Sequence, residues 1–382
     1  MNKTYKTAIV HDLVLANGGA DSTLESIVRL YPSPIFTLIA DHDKIKTSDF
    51  KDFVITDSFI QKLPWGLKKY RNYLPLYPLA VEQFNLEGYD VILSSSFIVA
   101  KGAISTSEQL HICYLHNPIR AAWELYHRFL SYSSKGRGIK AFFIRIICHY
   151  LRNWDVVSAN RVDHFIANST YTAKRIKKLY RRDSVVIYPP VDVDLFELEE
   201  LKDDYFVTAS RLVYHKRMDL IVDAFKALPG KKLIVIGDGP ELKRLRQIAP
   251  VNVEILGYQS NDRLIKYLQK AKAFLFAAHE DFGIAPIEAM SCGTPVIAFG
   301  GGGCSETVID GKTGLLFTEQ TAESIIKCVE KFESGEILFE PKAISMHAQK
   351  FSRKRFEAEY RDFVEQKTTA FFEKQVAVEK HI

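Results

Sequence analysis

Short apolar runs rich in β-branched residues alternate with longer helical stretches along this 382-residue chain, and the alternation is interrupted once. In the first half the runs are "TAIVHDLV" (7–14), "PIFTLIA" (34–40), "FVITDSF" (53–59), "DVILSSS" (90–96), "HICYLH" (111–116) and "HFIANS" (164–169). In the second half they are "YFVTAS" (205–210), "KLIVIGDG" (232–239), "VEILG" (253–257), "AFLFAA" (273–278) and "PVIAF" (295–299). Strands that alternate with helices build parallel sheets covered on both faces. Six strands followed by five are more than one open sheet usually holds. The interruption falls at "VVIYPPVDVDLF" (185–196), where Pro189-Pro190 can continue neither a helix nor a central strand. The expected fold is α/β, with two doubly wound Rossmann-like domains, 1–188 and 189–365, facing a cleft. A C-terminal helix and tail follow over 366–382, and the last residues are expected to fray. Ligands in such sheets bind where loops converge at the carboxyl ends of strands.

Composition narrows the class. Hydrophobic residues make up 47% and charged residues 25%, ordinary for a globular protein. No window of 18 apolar residues predicts a spanning helix, and "MNKTYKTAIVHDLV" lacks the apolar core of a signal peptide. The five cysteines are scattered with no CxxC spacing, which predicts reduced thiols in a cytoplasmic protein, not disulfides or zinc. Charge is uneven: residues 1–190 carry 25 Lys and Arg against 16 Asp and Glu, a net +9, and the remainder is −4. A basic first half points to anionic lipid, a phosphorylated acceptor or nucleic acid.

The stretch "HEDFGIAPIEAMSCGTPVIAFGGGG" (279–303) places Glu280 in a loop after a strand and Glu288 in the first turn of the following helix. Pro286 suits that first turn, Gly283 allows close approach of a ligand, and the amides of residues 283–285 offer a phosphate cradle. Two carboxylates that bind hydroxyls beside an anion cradle suit a nucleotide sugar. Taken singly, Glu288 also reads as an acid complementing the helix dipole, and Glu280 as a solvated loop acid. Upstream, "TASRLVYHKRMDLIVDAF" (208–225) brings Arg211 and Lys216 to a neighbouring strand end. Two cations there can neutralise a leaving diphosphate, although each alone also reads as a surface charge.

Together with "GDGPEL", "LGYQSNDRL" and "SETVIDGKTGLLF", these motifs resemble the retaining glycosyltransferases of family four, which have the GT-B fold. The family's Glu-x7-Glu signature falls on Glu280 and Glu288. The resemblance implies that Arg211 and Lys216 bind the donor diphosphate, Glu288 the ribose, and Glu280 the transferred sugar, with Phe282, Gly283 and Ile284 adding backbone. It places Gly257 and Tyr258 at the base, and Gly18 and Gly19 of "NGGAD" opposite the donor, with Asp21 where a Glu is usual. His116 of "CYLHNPIR" matches the family's active-site histidine, and with Arg120 it is assigned to the acceptor; a satisfied interior histidine is the plainer alternative. "HICYLHNPIRAAWELYH" and "VIYPPVDVDLF" resemble the bacterial mannosyltransferases of O-antigen and related polysaccharides. Those imply GDP-mannose as donor and a polyprenyl-diphosphate-linked acceptor. A UDP-sugar transferase of the same family, or a sugar-nucleotide 2-epimerase sharing the fold, are the alternatives. No metal and no cofactor are expected, because the cations and the helix start already supply positive charge; "DVD" (192–194) is set aside as a metal motif.

Two amphipathic stretches remain. "GIKAFFIRIICHYLRNW" (138–154) puts Ile139, Phe142, Phe143, Ile146, Ile147, Tyr150, Leu151 and Trp154 on one helical face, framed by cations. "KLPWGLKKYRNYLPLYP" (62–78) interleaves Trp65, Tyr70 and Tyr73 with Lys68, Lys69 and Arg71. Either could rest on an anionic membrane, at the inner face of the plasma membrane. The first reads equally as a helix that buries its apolar face in the core. The basic helix "TAKRIKKLYRR" (172–182) comes with no nucleic-acid motif, so no nucleic-acid partner is expected.

Overall fold

The computed structural model describes residues 5–15, 19–134 and 136–379. The chain forms two compact units, Met1–Tyr188 with Phe356–Ile382, and Pro189–Arg355. The first unit holds one parallel sheet of seven strands, in the order β3-β2-β1-β4-β5-β6-β7. These are β1 (Thr7–Val14), β2 (Ile35–Ala40), β3 (Ile55–Asp57), β4 (Val91–Ser96), β5 (Leu110–Leu115), β6 (His164–Ala167) and β7 (Ser184–Val186). The second holds a parallel sheet of six, in the order β10-β9-β8-β11-β12-β13. Its strands are β8 (Asp203–Ala209), β9 (Leu233–Ile236), β10 (Val253–Gly257), β11 (Ala271–Phe276), β12 (Val296–Phe299) and β13 (Gly314–Phe317). β1, β2, β4 and β5 are buried along almost their whole length, as continuous apolar strands with helices on both faces must be. In each sheet the strand order reverses at one place, between β1 and β4 and between β8 and β11. Loops leaving those strand ends are pushed apart there, which opens a crevice for ligand.

The eleven expected strands all form, and β7 and β13, only three and four residues long, join them. The C-terminal segment departs from expectation. The expected boundaries left 356–365 with the second domain and 366–382 as a separate tail, but Phe356–Ile382 belongs to the first unit. The cause is an apolar stripe on the helix Arg353–Glu379: Phe356, Tyr360, Val364 and Phe372 join the core of the first sheet. Phe356 meets Tyr114 edge-on at 5.6 Å, and Phe372 stacks on Tyr5 at 4.4 Å. Each such side chain contributes about 1.5–3 kcal/mol on burial, which fixes the helix to that core.

The amphipathic stretches bury only part of their apolar residues. Residues 138–154 lie in the helix Gly138–Ser158, but its apolar residues divide between two faces. Ala141, Cys148, Leu151 and Asp155 point inward, while Ile139, Phe142, Phe143, Ile146 and Tyr150 are exposed. Eight residues spread over about half the helix circumference cannot all face one core. Asp155 pairs inside with Lys101 at 2.9 Å, both side chains fully buried. Residues 62–78 are not an amphipathic α-helix but a series of turns and the 3-10 helix Tyr70–Leu76, with Trp65 exposed and Tyr77 buried.

Candidate functional site

The polar residues of the second unit gather at its switch point. Beyond β8 the chain passes exposed Arg211 and makes the single 3-10 turn Tyr214–Lys216. Arg217 adopts a left-handed φ of 53° and starts the helix Met218–Lys226. Beyond β11, buried Ala277 and Ala278 lead to Glu280. Lys216 Nζ stands 3.2 Å from Glu280 Oε1, with the two side chains only 20% and 18% exposed. A solvated loop acid and a surface lysine would not be enclosed in this way. The geometry instead holds a cation and a carboxylate together across the strand reversal.

Gly283, at a φ of 92°, turns the chain into the helix Ile284–Ser291, whose N-terminus no side chain caps. Only glycine takes that φ without strain. The first amides of the helix lack intrahelical acceptors and are suited to phosphate. The helix starts early enough that Pro286 is its third residue and Glu288 its fifth. Glu288 therefore lies in the second turn, not the first as expected, because proline is tolerated anywhere in the first turn and need not begin it. The dipole explanation for Glu288 loses its basis, since that effect is confined to the first turn. Glu288 keeps a partly open edge, yet burial, helped by the charge of Asp192, pushes its carboxyl up to about 7. Asp192, the first acid of the "DVD" run, is itself clamped by Arg353, Nε to Oδ1 at 2.5 Å and Nη2 to Oδ2 at 2.7 Å.

Neighbouring loops brace this arrangement. The Gly303 amide donates to the Glu280 carbonyl at 2.9 Å, and a Cβ on Gly303 would lie 2.3 Å from Phe282 Cα. The glycine run 300–303 thus lets the loop after β12 press against the Glu280 loop. The "GDGP" turn does the same for the Arg211 segment: the Leu212 amide donates to the Asp238 carbonyl at 2.8 Å. The Gly237 amide donates to the Gly257 carbonyl at 2.9 Å, which leaves Tyr258 exposed beside it. Sequence reasoning assigned no part to the 300–303 run, although four successive glycines after a strand signal a close backbone approach.

The first unit has its own cluster at the β1–β4 reversal. Asp12, wholly buried in β1, accepts four backbone amides: Phe97 and Ile98 on Oδ2 at 2.6 and 2.8 Å, Val99 and Ala100 on Oδ1 at 2.6 and 2.8 Å. Burial pushes its carboxyl upward, and the four amides pull the other way. This acid fixes the loop after β4, and no expectation named it. Asp12→Ala should destabilise the first unit by about 1.5–3 kcal/mol, read as a lower denaturant midpoint, because four amides, two of them buried, lose their acceptor.

His116 directly follows β5, only 8% exposed, with Nε2 2.9 Å from Ser95 Oγ. Burial, with a smaller contribution from His11, lowers its pKa to about 3, so it is a neutral imidazole at any ordinary pH. His11 is lowered to about 4, again by burial, and lies 3.9 Å from Asp21. His111 lies at the opposite end of β5 from His116. It is the second residue of β5, bonded to Ser94 Oγ at 2.8 Å and the Arg161 carbonyl at 3.2 Å. Gly19 opens the helix Gly19–Leu30, and Gly18 lies outside the described residues. Arg120 lines a cavity of about 290 Å³ with Tyr70, Arg71, Leu74, Phe97 and Asn117.

Residues 193–351 match the family model "Glycosyl transferases group 1", and residues 36–195 match "Glycosyltransferase Family 4". In fold the chain is similar to a solved Anabaena protein, HepE in complex with UDP, with a TM-score of 0.68 over 94% of this chain and 100% of that one, at 17% identity. The chain belongs to the GT-B glycosyltransferases. An uncharacterized glycosyltransferase of Methanocaldococcus jannaschii is 25% identical over 351 residues, 88% of this chain and 90% of that one. A GDP-mannose-dependent alpha-(1-6)-phosphatidylinositol monomannoside mannosyltransferase of Mycobacterium tuberculosis is 30% identical over 192 residues, 42% of this chain and half of its own length. As a glycosyltransferase the chain uses a nucleotide-sugar donor and a glycan-type acceptor. No helix among its described residues is long and apolar enough to cross a membrane.

Proposed function

We propose that this glycosyltransferase transfers mannose from GDP-mannose, with retention at the anomeric carbon, to a polyprenyl-diphosphate-linked oligosaccharide during synthesis of O-antigen or a related surface polysaccharide. The observation that carries the donor site is the enclosed Lys216–Glu280 pair at the β8–β11 reversal, ahead of an uncapped helix start and the high-pKa carboxyl of Glu288. The mannosyltransferase named above supports the choice of donor. In this reading Arg211, Lys216 and the amides at 283–285 hold the diphosphate, Glu288 the ribose diol, and Glu280 the sugar hydroxyls, beside the backbone of Phe282, Gly283 and Ile284. Gly257 and exposed Tyr258 flank the base. The sugar–phosphate C–O bond breaks, the acceptor oxygen bonds to the anomeric carbon on the same face, and its proton passes to the departing phosphate oxygen. The chain's part is positioning and charge neutralisation, for which Lys216 is already held in place. In the same reading Gly19 is assigned to the donor, and neutral His116, fixed by Ser95, to a sugar hydroxyl. Arg120, in its cavity, takes the acceptor.

Ionised Glu288 accepts from ribose hydroxyls, so donor binding favours the charged form and releases a proton. Because burial raises this carboxyl to about 7, affinity for GDP-mannose should climb between pH 6 and 8 and then level off. One unit below that value roughly a tenth of the carboxyl is ionised, so the loss at pH 6 approaches tenfold. Glu288→Gln should flatten the profile, measured calorimetrically in buffers of different ionisation heat.

The direct test of the function incubates the chain with GDP-mannose and a polyprenyl-diphosphate-linked glycan and determines the anomeric configuration of the product. An α-mannosylated product supports the reading. Consumption of UDP-sugars in its place overturns the donor, and conversion of donor without acceptor identifies an epimerase. An acceptor of this kind resides in a bilayer, so the reading includes peripheral association with the inner face of the plasma membrane.

A further inference from the structure

We infer that the outward face of the helix Gly138–Ser158 is the surface by which this chain docks on an anionic lipid bilayer. The inference rests on the membrane-borne acceptor proposed above, and it identifies the surface that meets the membrane.

The helix is apolar on two opposite sides. Its inner side is fixed by Ala141, Cys148, Leu151 and Asp155. Asp155 anchors it most firmly: Lys101 Nζ lies 2.9 Å away, and Trp123 Nε1 and Tyr180 Oη donate to it at 2.8 and 2.9 Å. The helix therefore cannot roll to hide its other side. That other side carries Ile139, Phe142, Phe143, Ile146 and Tyr150 at 78%, 58%, 56%, 49% and 44% exposure, and Val157 continues the line at 60%. At 3.6 residues per turn these six fall within about 100° of arc; the ridge is unbroken from Ile139 to Tyr150, and exposed Asn153 separates it from Val157. Single exposed apolar residues are ordinary, but an exposed ridge of this length marks an interaction surface.

Charge decides the occupant. Exposed Lys140 and Arg145 flank the ridge on its two sides, and exposed Arg137 precedes the helix. The one acid of the helix, Asp155, is buried and paired. An aromatic and aliphatic ridge between cations, with no exposed acid on the helix, is the pattern of an interfacial helix on anionic lipid. A second copy of the chain fits worse. A two-fold contact places each ridge on its own equivalent and brings the same cations face to face.

The test is co-sedimentation of the full chain with phosphatidylglycerol-containing vesicles, beside the double variant Phe142→Ser/Phe143→Ser. Both rings are already solvent-exposed, so the fold does not depend on them, and GDP-mannose affinity serves as the control for an intact donor site. The expected result is wild-type binding that falls with salt. The bound amount should drop on the order of tenfold or more in the variant, with donor affinity unchanged. A Phe142→Trp variant should show a blue-shifted emission on adding the vesicles. Variant binding equal to wild type overturns the assignment of this surface and leaves the membrane reading standing. No wild-type binding at any salt overturns the membrane reading itself. A wild-type dimer that the double variant dissociates, without vesicle binding, makes the ridge a contact between copies and overturns the inference.

Discussion

Lys216→Ala should lower kcat/KM for glycosyl transfer by about 100- to 1000-fold, equivalent to about 2.7–4 kcal/mol of transition-state stabilisation. Negative charge grows on the leaving diphosphate as the sugar–phosphate bond breaks, and a fixed cation acts most strongly at that moment. Lys216 is fixed already: its ammonium lies 3.2 Å from Glu280 Oε1, with the side chain 20% exposed. Its removal also leaves Glu280 enclosed without its cation. The distinguishing readout is that kcat falls much further than affinity for GDP does, because in the proposed site the ground-state diphosphate keeps Arg211 and the helix amides. Equal losses in both would reduce Lys216 to a simple binding residue. A loss below threefold would remove it from the site.

The second large effect concerns stability. Asp155→Ala should destabilise the first unit by about 3–5 kcal/mol, because it strands a buried ammonium. Lys101 and Asp155 are both inaccessible to solvent, and Lys101 Nζ also donates to Ser158 Oγ at 2.8 Å. The rings of Trp154 at 4.9 Å and Tyr180 at 5.3 Å soften the loss but do not replace a carboxylate. Chemical denaturation followed by the fluorescence of the tryptophans, all of which lie in the first unit, reads the change. The double variant Lys101→Met/Asp155→Leu should recover part of the loss, since a buried ion pair is nearly interchangeable with well-packed apolar groups, while Trp123 Nε1 and Tyr180 Oη still lose their acceptor. A single variant as stable as wild type would show that water reaches Lys101.

These two pairs also mark what could be read from the sequence and what could not. Lys216 and Glu280 were legible because each follows an apolar strand, and loops at the carboxyl ends of parallel strands converge on ligands. The strand reversal that brings β8 beside β11 supplies the rest. Glu288 was legible as a site residue, but its turn of the helix was not, since a proline fixes the start of a helix only to within a turn. Lys101 and Asp155 lie 54 positions apart, and neither carries a local sign that the other neutralises it. Asp12 did carry one: a carboxylate inside "TAIVHDLV", an otherwise buried strand, must find donors, and the four amides after β4 are those donors. A C-terminal helix was legible, yet the partners of its apolar stripe, Tyr5, Tyr31 and Tyr114, are far away in sequence, so its unit could not be assigned. On Gly138–Ser158 the apolar positions were visible, but which of them face inward depended on Asp155, a residue that sequence reasoning places outside.

The central claim is a nucleotide-sugar site built on Lys216, Glu280 and Glu288 that prefers guanine. Calorimetric titration of the full chain with GDP, UDP and GDP-mannose in metal-free buffer, beside Glu288→Ala, tests it most directly. The account predicts that GDP and GDP-mannose bind, that UDP binds at least tenfold more weakly, and that Glu288→Ala weakens the guanine nucleotides. Preference for UDP would contradict the donor assignment, and unchanged affinity in Glu288→Ala would contradict the site itself.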